Sequence, residues 1–134
     1  MAYDDLFRLS SHAVISDNQG RVLMLKASYG SLAWGLPGGA LDPEETIHQA
    51  LIRECREELA CDIKVQYLSG VYYHKAYNSQ AFIFRCQLEP SASIRLSDEH
   101  SEFSYMPLSE MSTVQKKRVI DCLNYKGVTL SEKF

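Results

Sequence analysis

Residues 39–61 read GALDPEETIHQALIRECREELAC, and their core, Arg53-Glu54-Cys55-Arg56-Glu57-Glu58, decides both fold and chemistry. Glu54, Glu57 and Glu58 are spaced i, i+3, i+4 in a strongly helical segment, so they stand side by side on one helix face. Like charges this close repel unless something positive sits among them, and a divalent metal ion is the natural candidate. At about 100° per residue, Ile47, Leu51, Cys55 and Leu59 form an oblique apolar stripe with Ala50 beside it. Glu54 and Glu58 fall within that arc, while Gln49, Arg53 and Arg56 occupy the far face. Carboxylates among apolar positions point to a buried site, because they seldom go inside unless paired or bound to metal.

The flanks define how the helix is set. Asp42-Pro43-Glu44-Glu45 offers an N-cap Asp, Pro at the first helical position and Glu three residues after the cap, which predicts a helix starting near residue 43. Upstream, Leu36-Pro37-Gly38-Gly39 reads as a turn whose paired glycines allow positive φ or close backbone approach. Placed just before an acidic helix, such a loop can aim a backbone carbonyl at the same ion.

These residues together resemble the Nudix box, G-x5-E-x7-R-E-U-x-E-E-x-G-U with U a bulky aliphatic residue. Gly39, Glu45, Arg53, Glu54, Glu57 and Glu58 stand at the matching positions, and Trp34-Gly35-Leu36-Pro37-Gly38-Gly39 resembles the family's lead-in. The box covers residues 39–61, about a sixth of the chain. Two features depart from it. Ala60 replaces the second glycine, removing the residue best suited to a left-handed helix end, and Cys55 and Cys61 take aliphatic positions as small hydrophobes. The resemblance implies an α/β/α sandwich with a mixed β-sheet between helices. It also implies Mg²⁺ or Mn²⁺ held by Glu54, Glu57, Glu58 and the Gly39 carbonyl, with Arg53 orienting Glu45 or its neighbours.

The rest of the chain reads as alternating strands and two helices. Its 134 residues suit one domain, residues 1–134. Residues 11–16 and 21–26 flank Asp17-Asn18-Gln19-Gly20 as a hairpin, and residues 31–36 read as a short strand. Residues 63–77 and 80–88 read as long strands joined at Asn78-Ser79, and 102–106 as a short one. Ser109 is expected to cap a last helix running to about Tyr125. Cys55, Cys61, Cys86 and Cys122 lack C-x-x-C pairing and lie in apolar patterns, which predicts reduced core thiols. The opening Met-Ala-Tyr-Asp-Asp lacks the marks of a signal peptide, and no apolar run reaches membrane-spanning length. A cytoplasmic protein without membrane contact is the expectation. A net charge of −3 argues against a nucleic acid polymer as partner, leaving a small nucleoside diphosphate derivative bridged by cations; a homodimer is compatible with this reading.

Hydrolysing a phosphoanhydride requires charge neutralisation on phosphate oxygens and a nucleophile made from water. The general base is expected at Glu54 or in the later acidic stretch Ser97-Asp98-Glu99-His100-Ser101-Glu102, with Glu99 ahead of Glu102. Lys26 is a candidate for phosphate contact, and Tyr72 or Tyr77 for stacking on a base, although alternation cannot turn Tyr72, Tyr73 and Tyr77 all inward. His12, His48, His74 and His100 form no metal-spaced pair and receive no ligand role. A metal-dependent pyrophosphohydrolase of nucleoside triphosphates, nucleotide sugars or dinucleoside polyphosphates is the leading function. The alternatives are a non-catalytic nucleotide-binding module, which the retained acids disfavour, and a prenyl diphosphate isomerase, which the short chain disfavours.

Overall fold

The structure is a computed structural model that describes residues 3–134; Met1 and Ala2, part of the stretch read for a leader, lie outside it. Eight strands and two helices follow in the order β1 (Arg8–Val14), β2 (Val22–Ala27), β3 (Trp34–Gly35), β4 (Gly38–Ala40), α1 (Ile47–Leu59), β5 (Ile63–His74), β6 (Ser79–Leu88), β7 (His100–Met106), α2 (Thr113–Leu123) and β8 (Leu130–Lys133). A mixed five-stranded sheet has the order β4-β1-β6-β5-β8, and a three-stranded antiparallel sheet has the order β3-β2-β7. Strand alternation divides the apolar residues between two cores. Ala13, Leu23, Phe84 and Cys86 pack with Leu51, Cys55 and Leu59 of α1. Their neighbours Val14, Val22, Met24 and Ile83 pack with Val119 and Cys122 of α2. This is the mixed α/β arrangement between helices that the sequence predicts, and all four cysteines are buried and unbridged.

Several boundaries differ from the sequence reading. The turn at Asp17–Gly20 forms, with the Asp17 carboxylate accepting from the Gln19 and Arg21 amides at 2.9 Å each, but no long hairpin follows. After the single bridge between Ser16 and Val22, β1 and β2 diverge into different sheets. The expected strand over 31–36 shrinks to Trp34–Gly35, because Leu32 sits at φ 56° in a turn with its amide on the Tyr29 carbonyl at 3.2 Å, and Pro37 has no amide to donate at the other end. The last three expected residues of the strand after α1 also change: β5 ends at His74 and a 3-10 turn covers Lys75–Tyr77. Ser109 lies in the 3-10 turn Leu108–Glu110, and Ser112 caps α2 by accepting from the Gln115 amide at 3.3 Å. Strand β8, all exposed, carries no apolar alternation that would have announced it.

The start of α1 moves most. Asp42-Pro43-Glu44-Glu45 closes a turn, with the Asp42 amide donating to the Glu45 carboxylate at 2.7 Å, and Glu44 adopts φ 71°, which no helix continues through. Thr46 is the actual N-cap: its hydroxyl accepts from the Gln49 amide at 3.1 Å while the Gln49 side chain accepts from the Thr46 amide at 3.0 Å. At the other end the chain keeps the left-handed cap without glycine, since Ala60 sits at φ 55° with its amide on the Arg56 carbonyl at 3.0 Å. An L-residue there is strained. Ala60→Gly should therefore stabilise the protein by about 1 kcal/mol, measured as a raised urea midpoint. An unchanged or lowered midpoint would show that the cap carries no such strain.

Candidate active site

Strand β4 and helix α1 meet along the glycines. The Ser11 hydroxyl donates to the Ile47 carbonyl at 2.8 Å, tying β1 to the first turn of α1, and β4 pairs with β1 so that Ser11 faces Gly39 and His12 faces Gly38. Gly38 adopts φ 137°, and a Cβ there would collide with the Ser11 carbonyl. A Cβ on Gly39 would lie 2.8 Å from the Glu54 carboxyl carbon. Gly38 is thus required by close backbone approach and positive φ, while at Gly39 a side chain would displace the Glu54 carboxylate.

Glu58 is the most enclosed acid, 4% exposed, and one oxygen accepts the Gly38 amide at 2.7 Å. Its other oxygen stands 3.6 Å from His100 Nε2, beyond hydrogen-bond reach. Burial pushes its pKa from the ordinary 4.5 to about 8, against the Gly38 hydrogen bond and reinforced by Glu54, Glu99 and Glu57. Glu54 is pushed upward too, chiefly by burial, with Arg53 opposing and Glu57 and Glu99 adding to the rise.

A positive charge does sit among the acids, and it is Arg53. Its Nε and Nη2 grip Glu45 in a fork at 2.7 and 2.9 Å, and Nη2 also donates to the Ala40 carbonyl at 3.0 Å. Nη1 reaches Glu54 at 3.0 Å and Glu57 at 3.2 Å. The orienting role expected of Arg53 toward Glu45 has this geometry behind it. With Glu54 and Glu57 turned onto the guanidinium, no three acid, His or Cys side chains among the described residues converge on one ion position as they stand. The donors nonetheless suit a hard divalent cation. Glu58 is a buried carboxylate whose only close partner is a neutral amide, the ligand atoms are all oxygen, and Glu57 is 59% exposed and can turn.

The other candidate residues scatter. Glu99 is exposed in the loop before β7, close enough for its charge to raise both Glu54 and Glu58. Glu102 faces Lys26 across the β2–β7 ladder and pairs with it at 3.4 Å at the half-buried end of β2. Tyr72 is corrected: it is fully buried in the α2 core with its hydroxyl donating to Asp121 at 2.8 Å, and cannot stack on a base. Tyr77 is 64% exposed in the 3-10 turn beside Ser10, His12, His74 and Arg118. Missed from the sequence is His100, whose approach to Glu58 depends on β7 docking and leaves no spacing signal.

The raised acids fix a pH dependence for the metal-free protein. A folded-state pKa above the unfolded value means that the folded form binds the proton more tightly, so the contribution is full below about pH 4.5 and is lost as pH rises toward about 8. Melting temperature in chelator should fall over that window, and Glu58→Gln should flatten the fall. An identical pH profile for Glu58→Gln and wild type would contradict the burial of this charge.

Comparison with known proteins agrees with the geometry. The family model described as NUDIX domain matches residues 6–122. A MutT-like protein of Streptomyces ambofaciens is 32% identical over 127 residues, covering 91% of this chain and 80% of that protein. An RNA pyrophosphohydrolase of Hamiltonella defensa is 32% identical over 91 residues, covering 67% of this chain, which spans only 55% of it. In fold, the chain is similar to a solved ADP-ribose pyrophosphatase from Streptococcus suis, with a TM-score of 0.77 at 15% identity over 96% of this chain and 100% of that one. The acid-bearing helix locked against a glycine strand, in a chain matched over most of its length, belongs to the Nudix (MutT-like) family of hydrolases.

Proposed function

We propose that this chain is a divalent-metal-dependent pyrophosphohydrolase that cleaves a nucleoside diphosphate linked to another moiety. The observation that carries the reading is the buried Glu58 carboxylate, pinned by the Gly38 amide beside Glu54 and Glu57 and within hydrogen-bond reach of no Lys or Arg among the described residues. Glu54, Glu57, Glu58 and the Gly39 carbonyl would hold Mg²⁺, or Mn²⁺ in its place. When bound, the ion neutralises phosphate oxygens and lowers the pKa of water. Arg53, anchored on Glu45 and Ala40, keeps Glu54 and Glu57 on one side of the helix. Glu99 accepts the proton of the attacking water, because its carboxylate forms no ion pair among the described residues, whereas Glu54 is engaged by Arg53 and Glu102 by Lys26. Relatives and fold neighbours named RNA pyrophosphohydrolase, ADP-ribose pyrophosphatase and Ap4A hydrolase support the bond type and leave the substrate open.

Product analysis with Mg²⁺ over nucleoside triphosphates, nucleotide sugars, dinucleoside polyphosphates and an RNA bearing a phosphoanhydride, resolving the nucleotides, phosphomonoesters and pyrophosphate formed, tests this directly. Turnover of a small nucleotide is expected; tight binding with no turnover of any would favour a binding module. Glu57→Gln and Glu58→Gln should each lower turnover by at least about 10²-fold, since an amide cannot replace a charged ligand. Near-normal activity in both would remove the metal assignment. Glu99→Gln should lower turnover by roughly 10² to 10⁴ with metal affinity retained. If the loss instead follows Glu54→Gln, the base lies on the helix.

A further inference from the structure

Each of the two sheets ends in strands with an unpaired edge, and one of these edges stands apart. Strand β3 has two residues and β4 three, while β8 has four, of which Glu132 and Lys133 carry charge. Short or charged edges of this kind resist pairing with another chain. Strand β7 spans seven residues, His100–Met106, and pairs only with β2. Ser101, Glu102, Phe103 and Ser104 are exposed, and Phe103, at the middle of the strand, is a large apolar side chain left 44% exposed. Outside the β2 ladder, the one backbone bond of β7 among the described residues runs from the His100 amide to the Ser97 carbonyl at 3.3 Å, so Ser101–Tyr105 bond to β2 alone.

An antiparallel strand turns half of its amides and carbonyls to one neighbour and half to the other side. On β7 that second half faces outward between Ser101 and Tyr105, over roughly 16 Å at about 3.3 Å per residue. The same strand of a second copy, related by a twofold axis through the sheet, complements it. Centred on Phe103, the pairing sets Phe103 against Phe103, Glu102 against Ser104 and Ser101 against Tyr105 of the other copy. Aromatic side chains directly opposite one another are favourable, and no like charges meet. Moving the centre to Glu102 opposes two carboxylates, and moving it to Ser104 brings Pro107, which has no amide, opposite Ser101. Each Glu102 keeps Lys26 of its own chain at 3.4 Å, and a net charge of −3 leaves little repulsion between copies.

We propose that β7 is a self-association edge, on which a second copy of this chain adds antiparallel about Phe103 and joins the two three-stranded sheets into one of six strands. Phe103 pairs with Leu25, which packs against α1, so the two rings meet on the α1 side of the joined sheet. Five paired residues bury less than the roughly 1,200–2,000 Å² of a tight complex, so the dimer is reversible, with Kd expected between about 1 and 100 µM. The pairing goes beyond hydrolysis and holds whether or not the acidic helix carries a metal.

Sedimentation velocity of the full chain from about 1 to 500 µM should show monomer passing into dimer. Phe103→Lys places two cations at the axis and should weaken the dimer by at least about tenfold. The register is read with Phe103→Cys. The four native cysteines are buried, so the introduced thiol is the accessible one. Across a strand pair its Cα lies about 4.5–5.5 Å from its mate, within disulfide reach. Mild oxidation should give covalent dimer at least about tenfold faster than for Leu130→Cys, which puts a thiol on the exposed β8 edge instead. Should Phe103→Lys fold poorly, the two cysteine variants decide the matter. A chain monomeric at every concentration, a dimer that folded Phe103→Lys leaves intact, or equal cross-linking of the two cysteine variants would overturn the edge.

Discussion

The contact on which the site depends is the approach of helix α1 to strand β4, where the Gly38 amide donates to Glu58 and the bare Gly39 leaves room for Glu54. Every other feature of the acidic face is set by it. The approach requires glycine at position 38, places Glu58 among apolar neighbours and leaves Glu57 at the solvent edge. It also explains why the helix begins at Thr46: the acids upstream are drawn into a turn whose Glu45 carboxylate anchors Arg53. A helix starting at Pro43 would give up that anchor.

Two opposed effects then act on the acids. Desolvation and mutual repulsion raise Glu54 and Glu58, while Arg53 offers compensation to Glu54 and Glu57 but not to Glu58. Burial wins at Glu58, where the single Gly38 hydrogen bond is too weak to offset it. A face with one uncompensated buried carboxylate and two others sharing one guanidinium nitrogen is poised for a doubly charged cation. Such a cation compensates all three at once, which no monovalent side chain in this geometry can do.

Local chemistry written in consecutive residues was legible. The 3.6-residue period of Ile47, Leu51, Cys55 and Leu59 placed Glu54 and Glu58 against the core, and the structure buries Glu58. Without glycine at position 60 the sequence points to a helix end managed differently, and the structure overturns this: Ala60 itself takes the left-handed cap at φ 55°. What was illegible depends on contacts distant in the chain. Strands β1 and β2 look like a hairpin because their turn is well formed, but which sheet each joins is decided by β6 and β7. Tyr72 and Tyr73 alternate visibly, while the choice of which one turns inward rests on α2 and Asp121. His100 and Arg118 reach their partners only through docking of β7 and α2.

The central claim is that the acidic face of α1, at the glycine strand, is where a divalent ion binds. Anomalous diffraction from crystals grown with Mn²⁺ measures this most directly. The account predicts a manganese peak bounded by Glu54, Glu57, Glu58 and Gly39, with Arg53 retained on Glu45. A peak elsewhere on the molecule, or none at this face with Glu54 and Glu57 still on Arg53, would contradict it.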